Sequence, residues 1–216
     1  MMKVNKETVK TILDEIKPRT LIAATKYVDE KAIEELESCG CLYYGENRVQ
    51  AFLEKYEKYH GKGHWHFIGT LQRNKVKYII DKVELIHSVN SYELIDEIEK
   101  QAGKNNIHIH VLLQVNIANE KSKHGFQKEE MNQVMEYIQS CSHIIVDGLM
   151  MMAPNIEIEQ TRTYFHQTKE LLEELNKIYP MQELSMGMSH DYKIALEEGA
   201  TLLRIGSALF EEDKPL

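Results

Sequence analysis

The sequence predicts one α/β domain built as a closed (β/α)8 TIM barrel, and three observations carry that prediction. Eight short apolar runs alternate with amphipathic segments along 216 residues, and eight strands, each linked by a crossover, is the count of such a barrel. The runs are followed by the residues that suit neither an apolar strand nor a helix, and in a parallel barrel all those strand exits share one rim. No proline-rich or serine-rich linker interrupts the chain and only four prolines occur, so residues 1–216 read as one domain. A doubly wound open sheet is the rival, which periodicity alone leaves standing.

The elements follow in order. A short opening helix is expected over 6–16. Strands are expected over 20–25, 41–44, 64–68, 85–87, 108–115, 144–150, 183–185 and 202–205. Helices are expected over 30–38, 48–59, 74–81, 92–102, 128–140, 161–178 and 192–198. In 92–102, Leu94, Ile95 and Ile98 repeat at helical spacing while Glu93, Glu97 and Lys100 fall elsewhere. Asp29 and Ser91 stand where helices should start, and Gly103 and Gly199 where they should stop.

Composition narrows the function. The net charge is −8, from 26 basic and 34 acidic residues, against the basic face that a nucleic-acid partner demands. Cys39, Cys41 and Cys141 make neither a disulfide framework nor a C-x-x-C pattern. The opening Met1-Met2-Lys3-Val4-Asn5-Lys6 lacks the apolar stretch of a signal peptide, and no apolar run nears the ~18 residues of a membrane span. The expectation is a cytoplasmic protein with no nucleic-acid or membrane partner.

Lys26 is the most informative residue. It closes the run Leu21-Ile22-Ala23-Ala24-Thr25, and a lysine leaving a buried parallel strand should be poorly hydrated. Desolvation disfavours the ammonium form, which would make Lys26 an amine nucleophile. The competing account is a lysine that simply snorkels out at a strand end.

Two further exits suit a phosphate. Ser185-Met186-Gly187-Met188-Ser189 offers hydroxyls and a glycine that lets backbone amides approach, and Gly206-Ser207 repeats those elements after the eighth strand. Loops after strands seven and eight are the usual phosphate position in these barrels; ordinary turn residues are the alternative. Arg204 is charged within the apolar Leu202-Leu203-Arg204-Ile205 and needs a partner, either a core carboxylate or a ligand atom. A lysine for an aldehyde, an anion cradle and an arginine for a ring nitrogen together describe pyridoxal 5′-phosphate (PLP). A metal site is a different reading, because His64 and His66, or His108 and His110, would project from one strand face; surface or core histidines account for them more simply.

Lys26 after its strand, GENRVQ at 45–50, WHFIGTLQRNK at 65–75, HSVNS at 87–91, GLMMMAP at 148–154, LSMGMSHD at 184–191 and RIGSALF at 204–210 together resemble the pyridoxal phosphate homeostasis protein family of the YggS/PROSC type. The resemblance spans nearly the whole chain in order and spacing. It implies a barrel similar to the N-terminal domain of alanine racemase, PLP as cofactor, and a part in intracellular vitamin B6 homeostasis without a dedicated reaction. By that resemblance Lys26 is the Schiff-base lysine; Ser185 or Ser189, Gly206 and Ser207 hold the phosphate; Arg204 faces the pyridine nitrogen; Asn47, His66 and Met150 line the ring pocket. Ser207 departs from the threonine common at that place, the opening helix is shorter than usual, and no glycine follows Phe210 closely.

An arginine at the ring nitrogen does not give up a proton, so the ring stays a weak electron sink while a reversible imine remains possible. A PLP-dependent amino-acid racemase of low activity is the enzymatic alternative. Racemases of this kind add a C-terminal β-domain and a tyrosine from a dimer partner. The sequence ends nine residues after Ser207, so the expectation is a monomer that lacks both. PLP-dependent apo-enzymes would be its protein partners.

Overall fold

Leu21, Ile22 and Ala23 are all buried, and a run covered on both faces belongs in a layer with side chains packed inside it and helices packed outside. The computed structural model describes residues 2–120 and 124–212. In chain order they form β1 (Met2–Val4), α1 (Lys6–Ile16), β2 (Thr20–Ala24), α2 (Glu30–Ser38), β3 (Tyr43–Glu46), α3 (Val49–Lys58), β4 (His64–Phe67), α4 (Val76–Ile79), β5 (Leu85–Val89), α5 (Tyr92–Asn105), β6 (Ile109–Val115), α6 (Met131–Ile138), β7 (Ile144–Met151), α7 (Thr161–Asn176), β8 (Glu183–Ser185), α8 (Tyr192–Glu197), β9 (Leu202–Ile205) and β10 (Phe210–Glu212).

Strands β2 to β9 close into one parallel barrel. The closing seam sets Leu21 against Leu203, Ile22 against Arg204 and Ala23 against Ile205, which removes the open-sheet rival. Ile22, Leu85, Leu112, Met150 and Leu202 pack as a cluster within the barrel, while residues such as Ile33, Leu36, Ile95, Ile98 and Phe165 form the larger layer between strands and helices. Helix starts are fixed by side chains that take orphan amide hydrogens: Asn5 from Thr8, Asp29 from Ala32 and Ser91 from Leu94.

Several boundaries differ from the sequence expectation. The second barrel strand begins two residues later than expected, at Tyr43, and runs through Gly45 and Glu46. Cys41 is spent on the turn, its amide bonding the Leu36 carbonyl after Gly40 at φ +90°. Gly103 does not end a helix; α5 continues to Asn105 and stops at Asn106, which adopts the left-handed conformation that asparagine tolerates. Residues 73–75 and 128–130 are single 3₁₀ turns leading into α4 and α6. The antiparallel ribbon of β1 with β10 is an addition that the sequence did not signal, since three-residue strands rich in Lys and Glu carry no period.

Candidate functional site

Side chains alternate across a strand, so positions two apart on one barrel strand form successive layers about 6.6 Å apart along it. The layer at the carboxyl ends surrounds a cavity of about 420 Å³, within the ~300–1,000 Å³ of small-molecule sites. Ala24 and Lys26 reach it from the end of β2, Gly45 and Asn47 from β3, Ile68, Gly69 and Thr70 from β4, Gln114 from β6, Met150 and Met152 from β7, Met188 after β8 and Arg204 from β9. Glycine is needed at 45 and 69. A Cβ at Gly45 would sit 2.8 Å from Ile68 Cδ1 and 2.9 Å from Ile22 Cγ2, and one at Gly69 would collide with the Asn47 backbone.

Lys26 is exposed rather than buried. β2 ends at Ala24, the buried exit position is Thr25, and Lys26 follows in the turn from Thr25 to Val28, its Nζ 4.5 Å above the Tyr27 ring. The desolvation expected for Lys26 therefore falls on Thr25. Arg204 is the buried cation: its guanidinium donates to Ser185 Oγ at 2.5 Å and to the Met151 carbonyl at 2.9 Å. Burial lowers its pKa to about 10 against the opposing charge of Asp191, so it stays cationic near neutrality. Neither of these hydrogen-bond partners is a carboxylate.

His66 and Ser185 lie beneath the cavity and, like Ser189, Gly206 and Ser207, are not part of its lining. His66 points inward but two residues before Ile68, so it faces a second cavity of about 250 Å³ at the amino ends of the strands. Ser185 is fully buried and supports Arg204 from below. A hydrogen-bonded chain joins them: His66 Nδ1 to His87 Nε2 at 2.9 Å, and His87 Nδ1 to Ser185 Oγ at 2.8 Å. One donor order that satisfies every pair starts from Arg204. Arg204 donates to Ser185, the Ser185 hydroxyl donates to His87 Nδ1, and His87 Nε2–H donates to His66 Nδ1. Both rings must be neutral for this, and burial pushes His66 down to about 3 and His87 well below its ordinary value.

At the rim, Ser189 Oγ accepts the amide hydrogens of Gly206 at 3.1 Å and Ala208 at 3.4 Å. Two main-chain donors and a hydroxyl thus converge where the loops after β8 and β9 meet. Ser207 is exposed and opens the 3₁₀ turn 207–209. Asn47 borders the cavity, and its Oδ1 is buried with no hydrogen-bond partner. The cavity lining thus combines an amine, Lys26, with a buried guanidinium, Arg204, among small and apolar side chains.

The histidines do not assemble a metal site. His64 pairs with Glu84 at 2.6 Å and His110 with Asp147 at 2.8 Å, and among the described residues no group of three His, Cys, Asp or Glu could hold an ion. Sequence reasoning missed His87 as the relay between strands, and missed Gly69, Gln114 and Met188 as cavity walls. The inward alternation of β5 and β6 was the available signal for His87 and Gln114, and Met188 lay within the 185–189 exit that was read only for its hydroxyls and glycine.

Residues 6–213 match the family model for the alanine racemase N-terminal domain. The pyridoxal phosphate homeostasis protein of Aquifex aeolicus is 48% identical over 198 residues, covering 90% of this chain and 87% of that one. That of Haemophilus influenzae is 34% identical, covering 88% and 83%. Among solved structures, PipY of Synechococcus elongatus with PLP bound superposes with a TM-score of 0.89 at 30% identity, over 95% of this chain and 99% of that one. Alanine racemase from Corynebacterium glutamicum shares the fold, with a TM-score of 0.75 at 14% identity over 97% of this chain and 62% of that one. A closed barrel whose rim presents an amine and a buried guanidinium, matched along almost its full length by these relatives, belongs to the pyridoxal phosphate homeostasis protein family.

Proposed function

We propose that this chain binds PLP as a Schiff base on Lys26 and serves intracellular PLP homeostasis by holding and releasing the cofactor. The observation that carries the reading is that Lys26 and Arg204, from opposite edges of the closing seam, border one cavity. PLP would supply an aldehyde. The Lys26 amine forms a carbon–nitrogen bond at that carbonyl carbon, and the carbonyl oxygen leaves as water with the two amine hydrogens. The step is reversible, as a carrier requires.

Arg204 would face the pyridine nitrogen and keep it unprotonated, because a guanidinium at about 10 holds its protons at neutral pH. Asn47 and Met150 would bound the ring, and Ser189, Gly206 and Ser207 the phosphate. Ser185 acts by holding Arg204, and His66 by holding His87. Racemisation needs acid–base groups on both faces of the substrate carbon. The described cavity lining offers Lys26 and Arg204 as its ionisable groups, which favours a carrier over a racemase.

The reading takes a monomer of one domain over residues 1–216, its barrel closed by β2 against β9. The unpaired thiols of Cys39, Cys41 and Cys141 suit a reducing, cytoplasmic setting, and the recipients would be PLP-dependent apo-enzymes. No helix among the described residues is long and apolar enough to cross a membrane. The test is absorbance of PLP-loaded protein. Wild type should show a visible band that Lys26→Ala lacks, with weaker noncovalent PLP retained; an undiminished band in Lys26→Ala would overturn the assignment.

A further inference from the structure

We propose that Lys55 and Glu46 are positioning residues that lock the turn presenting Lys26, so that a buried ion pair behind the barrel wall sets where the amine meets its aldehyde. The inference rests on Lys26 being that amine. Thr25 is fully buried, and each of its polar groups is engaged by β3 or α3. Its amide donates to the Gly45 carbonyl at 3.1 Å. Its hydroxyl donates to Glu46 Oε1 at 2.5 Å. Its carbonyl accepts from Lys55 Nζ at 2.5 Å, and Lys55 also donates to Glu46 Oε1.

That carbonyl also accepts the Val28 amide at 3.2 Å, which closes the turn holding Lys26 and Tyr27. Lys55 therefore grips the atom on which the Lys26 turn hinges. Glu46 extends the same hold to the cavity's next two walls. It lies between Gly45 and Asn47, and its own carbonyl accepts the Ile68 amide at 2.8 Å. The ion pair thus ties the exit of β2 to β3, and the main chain at Glu46 carries β3 to β4.

Stability is a poor reason for the pair. Glu46 has no exposed surface and Lys55 is 8% exposed, and apolar replacement of such pairs is often neutral or favourable. Glu46 Oε2 is moreover buried without a partner, a cost that an apolar pair would avoid. Fixed geometry is the return, since an exposed lysine on an unanchored turn would sample many positions and lose the orientation that speeds a bimolecular step.

The test uses the Lys55→Met/Glu46→Gln double variant, which leaves no lone buried charge, with Thr25→Ser as the conservative control. Capture of PLP is followed by stopped-flow absorbance, and binding of pyridoxine 5′-phosphate, which lacks the aldehyde, reports the cavity without the amine. The expected result is a fall of about 10- to 100-fold in the capture rate, pyridoxine 5′-phosphate affinity within about threefold of wild type, and wild-type behaviour for Thr25→Ser. An unchanged capture rate, or an affinity that falls in step with it, overturns the proposal.

Hydrogen exchange without cofactor gives an independent readout: the Val28 amide should exchange at least about tenfold faster in the double variant while core strand amides keep their protection. Equal Val28 exchange overturns the proposal even if Lys26 proves not to bind PLP, whereas a wild type that captures no PLP on Lys26 refutes the function and leaves the exchange test standing. Should the double variant not fold, the apolar pair Lys55→Met/Glu46→Leu, which likewise frees the Thr25 carbonyl and leaves no lone charge, carries both measurements, with the same directions expected and the same null result fatal.

Discussion

Replacing His66 by Gln tests the neutral relay under Arg204 and gives a number. The His66 ring stands at about 3 in the folded chain against 6.5 for the free side chain. The folded value is the depressed one, so between those limits the unfolded chain binds the extra proton and stability falls as pH falls. For one such ring the loss between about pH 7.5 and about pH 5 is about 2 kcal/mol. His87 is lowered as well, and its contribution has the same sign in both proteins. A glutamine at 66 stays uncharged and can still accept from His87 Nε2–H, so the variant should lack only the His66 share. Urea unfolding at the two pH values is the assay. With an m-value of about 2–3 kcal/mol/M, the gap between wild-type and variant midpoints should change by about 0.7–1 M. A gap of the same size at both pH values would refute a neutral, buried His66.

Other consequences are as definite. Arg204→Glu sets a carboxylate toward the ring nitrogen, which should protonate it and shift the visible band of loaded protein; a wild-type pH profile of that band would remove Arg204 from the ring. Gly69→Ala drives a methyl group into the Asn47 backbone, with an expected loss of about 1–3 kcal/mol in urea unfolding and weaker PLP retention; a variant equal to wild type in both would free the wall of that constraint. Incubation with L-alanine and chiral analysis should show turnover far below ~1 s⁻¹, the low end of typical enzymes, and a faster rate would establish a racemase.

The barrel was legible because its strands are covered on both sides and their exits are chemically distinct. Arg204 stood out as a charge inside Leu202-Leu203-Ile205, and its neutral hydrogen-bond partners answer the question that burial posed. Exits were harder to resolve than strands. Lys26 ends an apolar run, yet one residue separates the buried position from the exposed one, and a run of letters does not show where a strand's last pairing falls. His66 had the right facing and the wrong depth: alternation tells inside from outside but not which layer meets the cavity. Glu46 looked like a loop residue because a buried carboxylate is legible only once Lys55, nine positions on, is seen to return to it. Ser185 and Ser189 were equivalent hydroxyls in sequence, and only the closure of β8 beside β9 separates the one beneath Arg204 from the one at the rim.

The most direct measurement is borohydride reduction of the PLP-loaded protein followed by peptide mapping. The account predicts a phosphopyridoxyl group on the peptide carrying Lys26 and on no other lysine. An unmodified Lys26 with the label elsewhere, or a protein that takes no label, would contradict it.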